Sequence, residues 1–113
     1  MTDRLPTHVE VAGILRQVAA GGGFATVMKK GDPDRGSLLI LVSSRGRHVA
    51  FLERVLSLDG SYRWERVGPS DSASSQEIGD FLARRARFDD DSWAIELDIA
   101  EPERFIAETT GLG

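Results

Sequence analysis

FATVMKKGDPDRGSLLILVSSRGRHVAFL, residues 24–52, sets two glycine-containing turns between three apolar runs, and its reading decides the fold. Phe24 to Lys30 reads as a strand, with Phe24, Thr26 and Met28 on one face and Ala25 and Val27 on the other. Gly31-Asp32-Pro33-Asp34-Arg35-Gly36 is turn chemistry throughout and predicts a solvated hairpin turn. Leu38-Leu39-Ile40-Leu41-Val42 is apolar on both faces, as a central strand covered from each side would be. Ser43 to Arg47 is a basic turn containing Gly46, after which Val49 to Leu56 resumes as a strand. The stretch therefore predicts a β-meander.

On the N-terminal side, Thr7 and Glu10 have capping-box spacing, and Val11, Ile14, Leu15 and Val18 follow at helical spacing. Gly21-Gly22-Gly23 ends that helix. On the other side, Leu58-Asp59-Gly60-Ser61 is a hairpin signal into a fourth strand, Tyr62 to Val67. Gly68 to Ser75 is a polar loop, and Ser74 with Glu77 forms a second capping box ahead of Ile78, Phe81 and Leu82. Arg84, Arg85 and Arg87 fall in the last turn, where the helix dipole favours cations. Asp89 to Ser92 turns into an alternating strand with Trp93, Ile95, Leu97 and Ile99 inward and Ala94, Glu96 and Asp98 outward. Pro102 opens a short helix carrying Phe105 and Ile106. The expected fold is α+β: a helix, a four-strand meander, a helix, a strand and a helix. Short connections imply a largely antiparallel sheet of about five strands with helices packed on it. The fifth strand follows a helix crossover and could pair either way.

The 113 residues match one globular domain, residues 1–113, and 41% hydrophobic with 28% charged residues is ordinary for such a domain. There is no cysteine, which removes disulfides, thiolate zinc sites and cysteine nucleophiles. Met1 to Pro6 is polar and charged, and no apolar run approaches the length of a membrane span, so the expected location is the cytoplasm, with no membrane partner. The net charge of −4 divides into about +3 over residues 1–68 and −7 over residues 69–113. This disfavours nucleic-acid binding by the whole surface but leaves a local basic face on the meander.

No constellation amounts to a catalytic set. The Asp32 turn is no calcium loop, since its twelfth position is Ser43, and no phosphate cradle, since it joins two strands. The triple glycine follows a helix and precedes a strand, the reverse of a phosphate loop. Asp89, Asp90, Asp91, Glu96 and Asp98 include carboxylates about 7 Å apart on one strand face, yet read as a solvated turn and the polar face of an edge strand. The element order is similar to restriction-endonuclease-like nucleases, but the second strand has no carboxylate and Glu53 has no lysine two positions on. His8 and His48 stand in unrelated elements. A metal-assisted hydrolase would require Asp32, Asp34, Glu96 or Asp98 to converge in space. No catalytic, cofactor-binding or metal residue is assigned, and no cofactor is expected. Two surfaces are candidates instead: an interface built on Tyr62, Trp64 and Trp93, and a basic face of Arg45, Arg47, Arg54, Arg63 and Arg66 interleaved with aromatics.

Arg4-Leu5-Pro6, Gly22-Gly23-Phe24-Ala25-Thr26-Val27, Gly31-Asp32 with Gly36, Leu52-Glu53-Arg54-Val55, Phe88-Asp89 with Asp91 and Trp93, Glu96-Leu97-Asp98 and Glu103-Arg104-Phe105 span almost the whole chain. Together they resemble the small bacterial proteins grouped as domain of unknown function 1491. The resemblance implies a stand-alone bacterial protein of this size and brings no activity, cofactor or catalytic residue with it. The expected function is a non-enzymatic module that meets a protein partner or a second copy of itself, with nucleic-acid binding through the basic meander face and a divalent-metal-dependent hydrolase as the alternatives.

Overall fold

The structure is a computed structural model that describes residues 5–111; Met1 to Arg4 and the last two residues lie outside it, and with them Arg4 of the resemblance. The elements are α1 (Thr7–Ala20), β1 (Phe24–Lys29), β2 (Leu38–Ser44), β3 (Arg47–Leu56), β4 (Tyr62–Val67), α2 (Ser75–Phe88), β5 (Trp93–Asp98) and α3 (Pro102–Thr110). Their order along the chain is that expected from the sequence. Their order in the sheet is not: the strands run β1-β5-β2-β3-β4. β5 lies between β1 and β2, antiparallel to β1 and parallel to β2, so the sheet is mixed rather than largely antiparallel. The meander is confined to β2, β3 and β4.

Burial explains the insertion. Leu38 to Val42 and, in β5, Trp93, Ala94, Ile95 and Leu97 are buried, so these two strands gain most from flanking strands and from cover on both faces. The polar residues that suggested an edge strand have partners: Glu96 accepts from Ser43 Oγ at 2.9 Å, and the Asp98 carboxylate accepts the amides of Arg45 at 2.9 Å and Gly46 at 2.8 Å. β1, exposed at every second residue, takes the edge instead.

One face of the sheet packs Val11 and Val18 of α1 and Ile106 of α3 against Ile40, Leu52, Ile95 and Leu97. The other packs Ile78, Phe81 and Leu82 of α2 against Leu39, Leu41 and Phe51. α2 starts with the expected capping box, Ser74 Oγ accepting from the Glu77 amide at 3.1 Å and Glu77 from the Ser74 amide at 3.0 Å. The box expected at Thr7 and Glu10 is not formed. Thr7 is the first helical residue and fully buried, and its hydroxyl donates to Gly36 O at 2.7 Å. The first amides of α1 are instead satisfied by the 31–36 segment, Thr7 N reaching Asp34 O at 3.3 Å and His8 N reaching Pro33 O at 2.9 Å. No helix among the described residues is long and apolar enough to cross a membrane.

That segment is not a hairpin turn, because β1 and β2 are not neighbours. It crosses the start of β5, fixed by Asp32 N to Asp91 O at 2.9 Å, Trp93 N to Ser37 O at 2.7 Å and Trp93 Nε1 to Asp32 O at 2.7 Å. Gly31 and Gly36 permit the crossing, since a Cβ on either would lie 2.0 Å or 2.2 Å from Asp91 O. Lys29 Nζ closes the same corner by donating to Asp90 O at 2.7 Å and Ser92 O at 2.6 Å.

Candidate functional site

The 10 residues of β3 outrun the 7 of β2. The β2 ladder reaches only Leu39 opposite Glu53, whereas β4 pairs on through Arg54 opposite Trp64, Val55 opposite Arg63 and Leu56 opposite Tyr62. β3 and β4 therefore project beyond β2 as a two-stranded arm. Its tip closes through Ser57 N to Ser61 O at 2.7 Å and Gly60 N to Ser57 O at 3.0 Å, with Gly60 at a left-handed φ of 85°. Asp59 stabilises the turn by accepting from Ser61 Oγ at 2.6 Å and Ser61 N at 3.0 Å, and these two bonds, the hydroxyl first, hold its pKa below the ordinary carboxylate value.

The arm carries apolar side chains into water. Leu56 is 64% and Tyr62 50% exposed, and Leu58 at the tip is fully exposed. Isolated two-stranded hairpins are marginal in water, so the arm needs a brace. Arg54 supplies it: its side chain is 7% exposed, pairs with Glu10 of α1, and sits 5.4 Å from the Trp64 ring and 5.7 Å from the Tyr62 ring. A guanidinium between two aromatic faces and a carboxylate ties the arm to α1.

Two open cavities adjoin the arm, and Trp64 lines both. One, of about 460 Å³, lies between α1 and α3 and is walled by Ile14, Val18, Ile40, Ile99 and Phe105. The other, of about 490 Å³, runs along β4 beneath Ile106, Ala107 and Thr110 of α3. β4 is an edge of the sheet.

Of the three expected interface residues, Tyr62 and Trp64 flank Arg54 on the arm, and Trp93 lies elsewhere, 7% exposed and hydrogen-bonded to the 31–36 segment. The five arginines do not share one face. Arg54 and Arg66 lie on the α1/α3 side of the sheet, paired with Glu10 and Glu103, while Arg63 alternates to the other side and pairs with Glu65 at 2.7 Å. Arg45 lies in the β2–β3 connection and Arg47 is the first residue of β3, both at the opposite end of β3 from the arm tip. Nor do the carboxylates converge. Among the described residues no group of three potential ligands is placed to hold a metal ion. Asp32 is occupied by the amides of Arg35 at 2.8 Å and Asp34 at 2.9 Å, which depress its pKa, and Glu53 pairs with Arg85 of α2. His8 and His48 each contact a proline carbonyl, Pro33 O at 2.9 Å and Pro69 O at 3.0 Å, in different parts of the molecule.

Leu56 and Leu58 are the surface residues that sequence reasoning passed over. Leu56 reads as a strand terminus and Leu58 as turn flank; their signal was two leucines immediately ahead of an Asp-Gly turn, where polar residues are usual.

The sequence model of the family described as Protein of unknown function (DUF1491) matches residues 5–107. A DUF1491 family protein from Caulobacter crescentus is similar in its crystal structure, at 29% identity and a TM-score of 0.76 over 85% of this chain and 89% of that one. An NMR structure of a DUF1491 family protein from the same organism gives 29% identity and a TM-score of 0.75 over 89% of this chain and 91% of that one. The solution structure of a protein from A. tumefaciens, also 29% identical, gives 0.71 over 88% of this chain and 89% of that one. No functionally curated protein matches the chain.

Proposed function

We propose, for a chain that belongs to the DUF1491 family of proteins of unknown function, that it is a non-enzymatic interaction module docking a protein partner through the β3–β4 arm and the β4 edge. The observation that carries this reading is the arm itself, a braced hairpin standing clear of β2 with Leu56, Leu58 and Tyr62 exposed. Exposed apolar side chains clustered on a rigid projection favour burial against another surface, and aromatic residues are preferred anchors there. The ion pairs of Arg54, Arg63 and Arg66 leave less free positive charge for phosphate than the sequence alone suggests, so protein is favoured over nucleic acid.

Leu56→Ser with Leu58→Ser tests the reading, because both side chains are exposed and the double variant is expected to keep its fold. Association, read by light scattering across a concentration series or by a defined protein retained on immobilised chain, is expected to weaken in the double variant. A chain that associates with nothing, or whose association is indifferent to both leucines, contradicts the proposal.

A further inference from the structure

We infer that the partner of the β4 edge is a second copy of this chain, added antiparallel so that the two sheets join about a twofold axis through Trp64. This rests on the interaction-module reading and specifies its partner. The argument lies in the sequence of the strand, Tyr62-Arg63-Trp64-Glu65-Arg66. Opposite residues of neighbouring strands share a face, so a twofold antiparallel pairing must be centred on a residue. Centred on Trp64, it sets Arg63 against the partner's Glu65 and Glu65 against the partner's Arg63, two ion pairs on one face. On the other face Trp64 meets the partner's Trp64, and each Tyr62 meets the partner's Arg66, an aromatic pair between two cation–π pairs. Centring one residue earlier stacks Arg63 on the partner's Arg63; centring one residue later stacks Glu65 on the partner's Glu65. Of these three registers, charge complementarity selects the one centred on Trp64.

The rest of the edge fits this use. The β3–β4 ladder runs from Phe51 opposite Val67 to Leu56 opposite Tyr62 without a shift, so the edge is regular. The groove along it gives room on the α3 side for the partner's aromatic side chains. Arg63 and Glu65 are 62% and 42% exposed and already paired with each other, so exchanging partners between copies costs little. The other edge is guarded: β1 shifts register between Val27 and Lys29, and Lys29 is drawn onto the carbonyls of Asp90 and Ser92. A bulge is a usual defence of an edge that stays unpaired.

Arg63→Glu and Glu65→Arg test the register, alone and mixed. Each single variant opposes like charges twice across the axis, and its homodimer should dissociate roughly tenfold more readily than the wild type. Mixing the two variants in equal amounts should restore association as a heterodimer, because each cross-axis pair then joins opposite charges. The pair within each chain stays repulsive in the mixture, so recovery reports only the contact between copies. Far-UV circular dichroism unchanged from the wild type, with a cooperative thermal melt, shows that both variants fold. A wild-type dimer indifferent to these substitutions overturns the register. A wild type that stays monomeric at high concentration overturns the second-copy inference, while a defined protein lost with Leu56→Ser/Leu58→Ser would leave the interaction-module reading standing.

Discussion

The 31–36 crossing and the 57–61 arm tip are built from the same turn chemistry and do opposite jobs. Each places an aspartate and glycine between apolar runs, and in each the carboxylate accepts hydrogen bonds from residues two or three positions on. Asp32 and Asp59 both have pKa values held below the ordinary carboxylate range. Yet the crossing is wedged between α1 and the start of β5, and the tip stands in water. Turn residues specify that the chain reverses, not what lies beside the reversal. The strand that ends up next door decides whether a turn becomes a packed joint or a contact surface.

Glycine substitution separates the two most sharply. Gly31→Ala or Gly36→Ala drives a Cβ into backbone, 2.0 Å or 2.2 Å from Asp91 O, and should cost about 3 kcal/mol in urea unfolding. Gly60→Ala meets no atom within 4 Å and pays only for its left-handed φ, about 1 kcal/mol. Equal losses at Gly31 and Gly60 would break the distinction. Arg54→Met tests the brace: it leaves Glu10 half-buried without its cation and removes the contact with both rings, and a loss of about 2 kcal/mol is expected. Arm amides should then exchange faster while those of the 31–36 segment do not.

The smallest effect is in acid, and here the two turns should behave alike. The folded-state pKa of Asp32 is lowered mainly by the Arg35 amide, then by that of Asp34; that of Asp59 is lowered by the Ser61 hydroxyl, then its amide. A lowered folded-state value means stabilisation that is complete above the unfolded value of about 3.9 and is lost as pH falls through the folded one. Asp32→Asn and Asp59→Asn should each flatten the loss of stability below about pH 4, read by thermal melts across pH.

Much of this was legible in the chain itself. The element order, the buried β2 and the Ser74/Glu77 cap follow from period and spacing, which are local. The insertion of β5 was not legible, because Glu96 and Asp98 look like a solvated face until Ser43 and the Arg45–Gly46 turn supply their partners 52 and 53 residues away. Thr7 and Glu10 have the spacing of a capping box, but the Pro33 and Asp34 carbonyls and Arg54 take their places from a distance. At the candidate surface, Tyr62 and Trp64 were legible as a shared face; Trp93 was legible as inward-facing from the alternation of its strand, which its burial matches, and its size alone also made it an interface candidate. The arm itself depends on β3 outrunning β2, a difference in strand length that only the register exposes.

Amide hydrogen exchange at low and high protein concentration tests the central claim most directly, that the molecule meets its partner along β4. The account predicts that the Asp32, Gly36 and Trp93 amides, bonded within the fold, are protected equally at both concentrations. Protection should rise with concentration at the alternate amides of Tyr62 to Arg66 that point away from β3, as the edge pairs. Self-association without any added protection along β4, or no change there at the highest concentration, would contradict it.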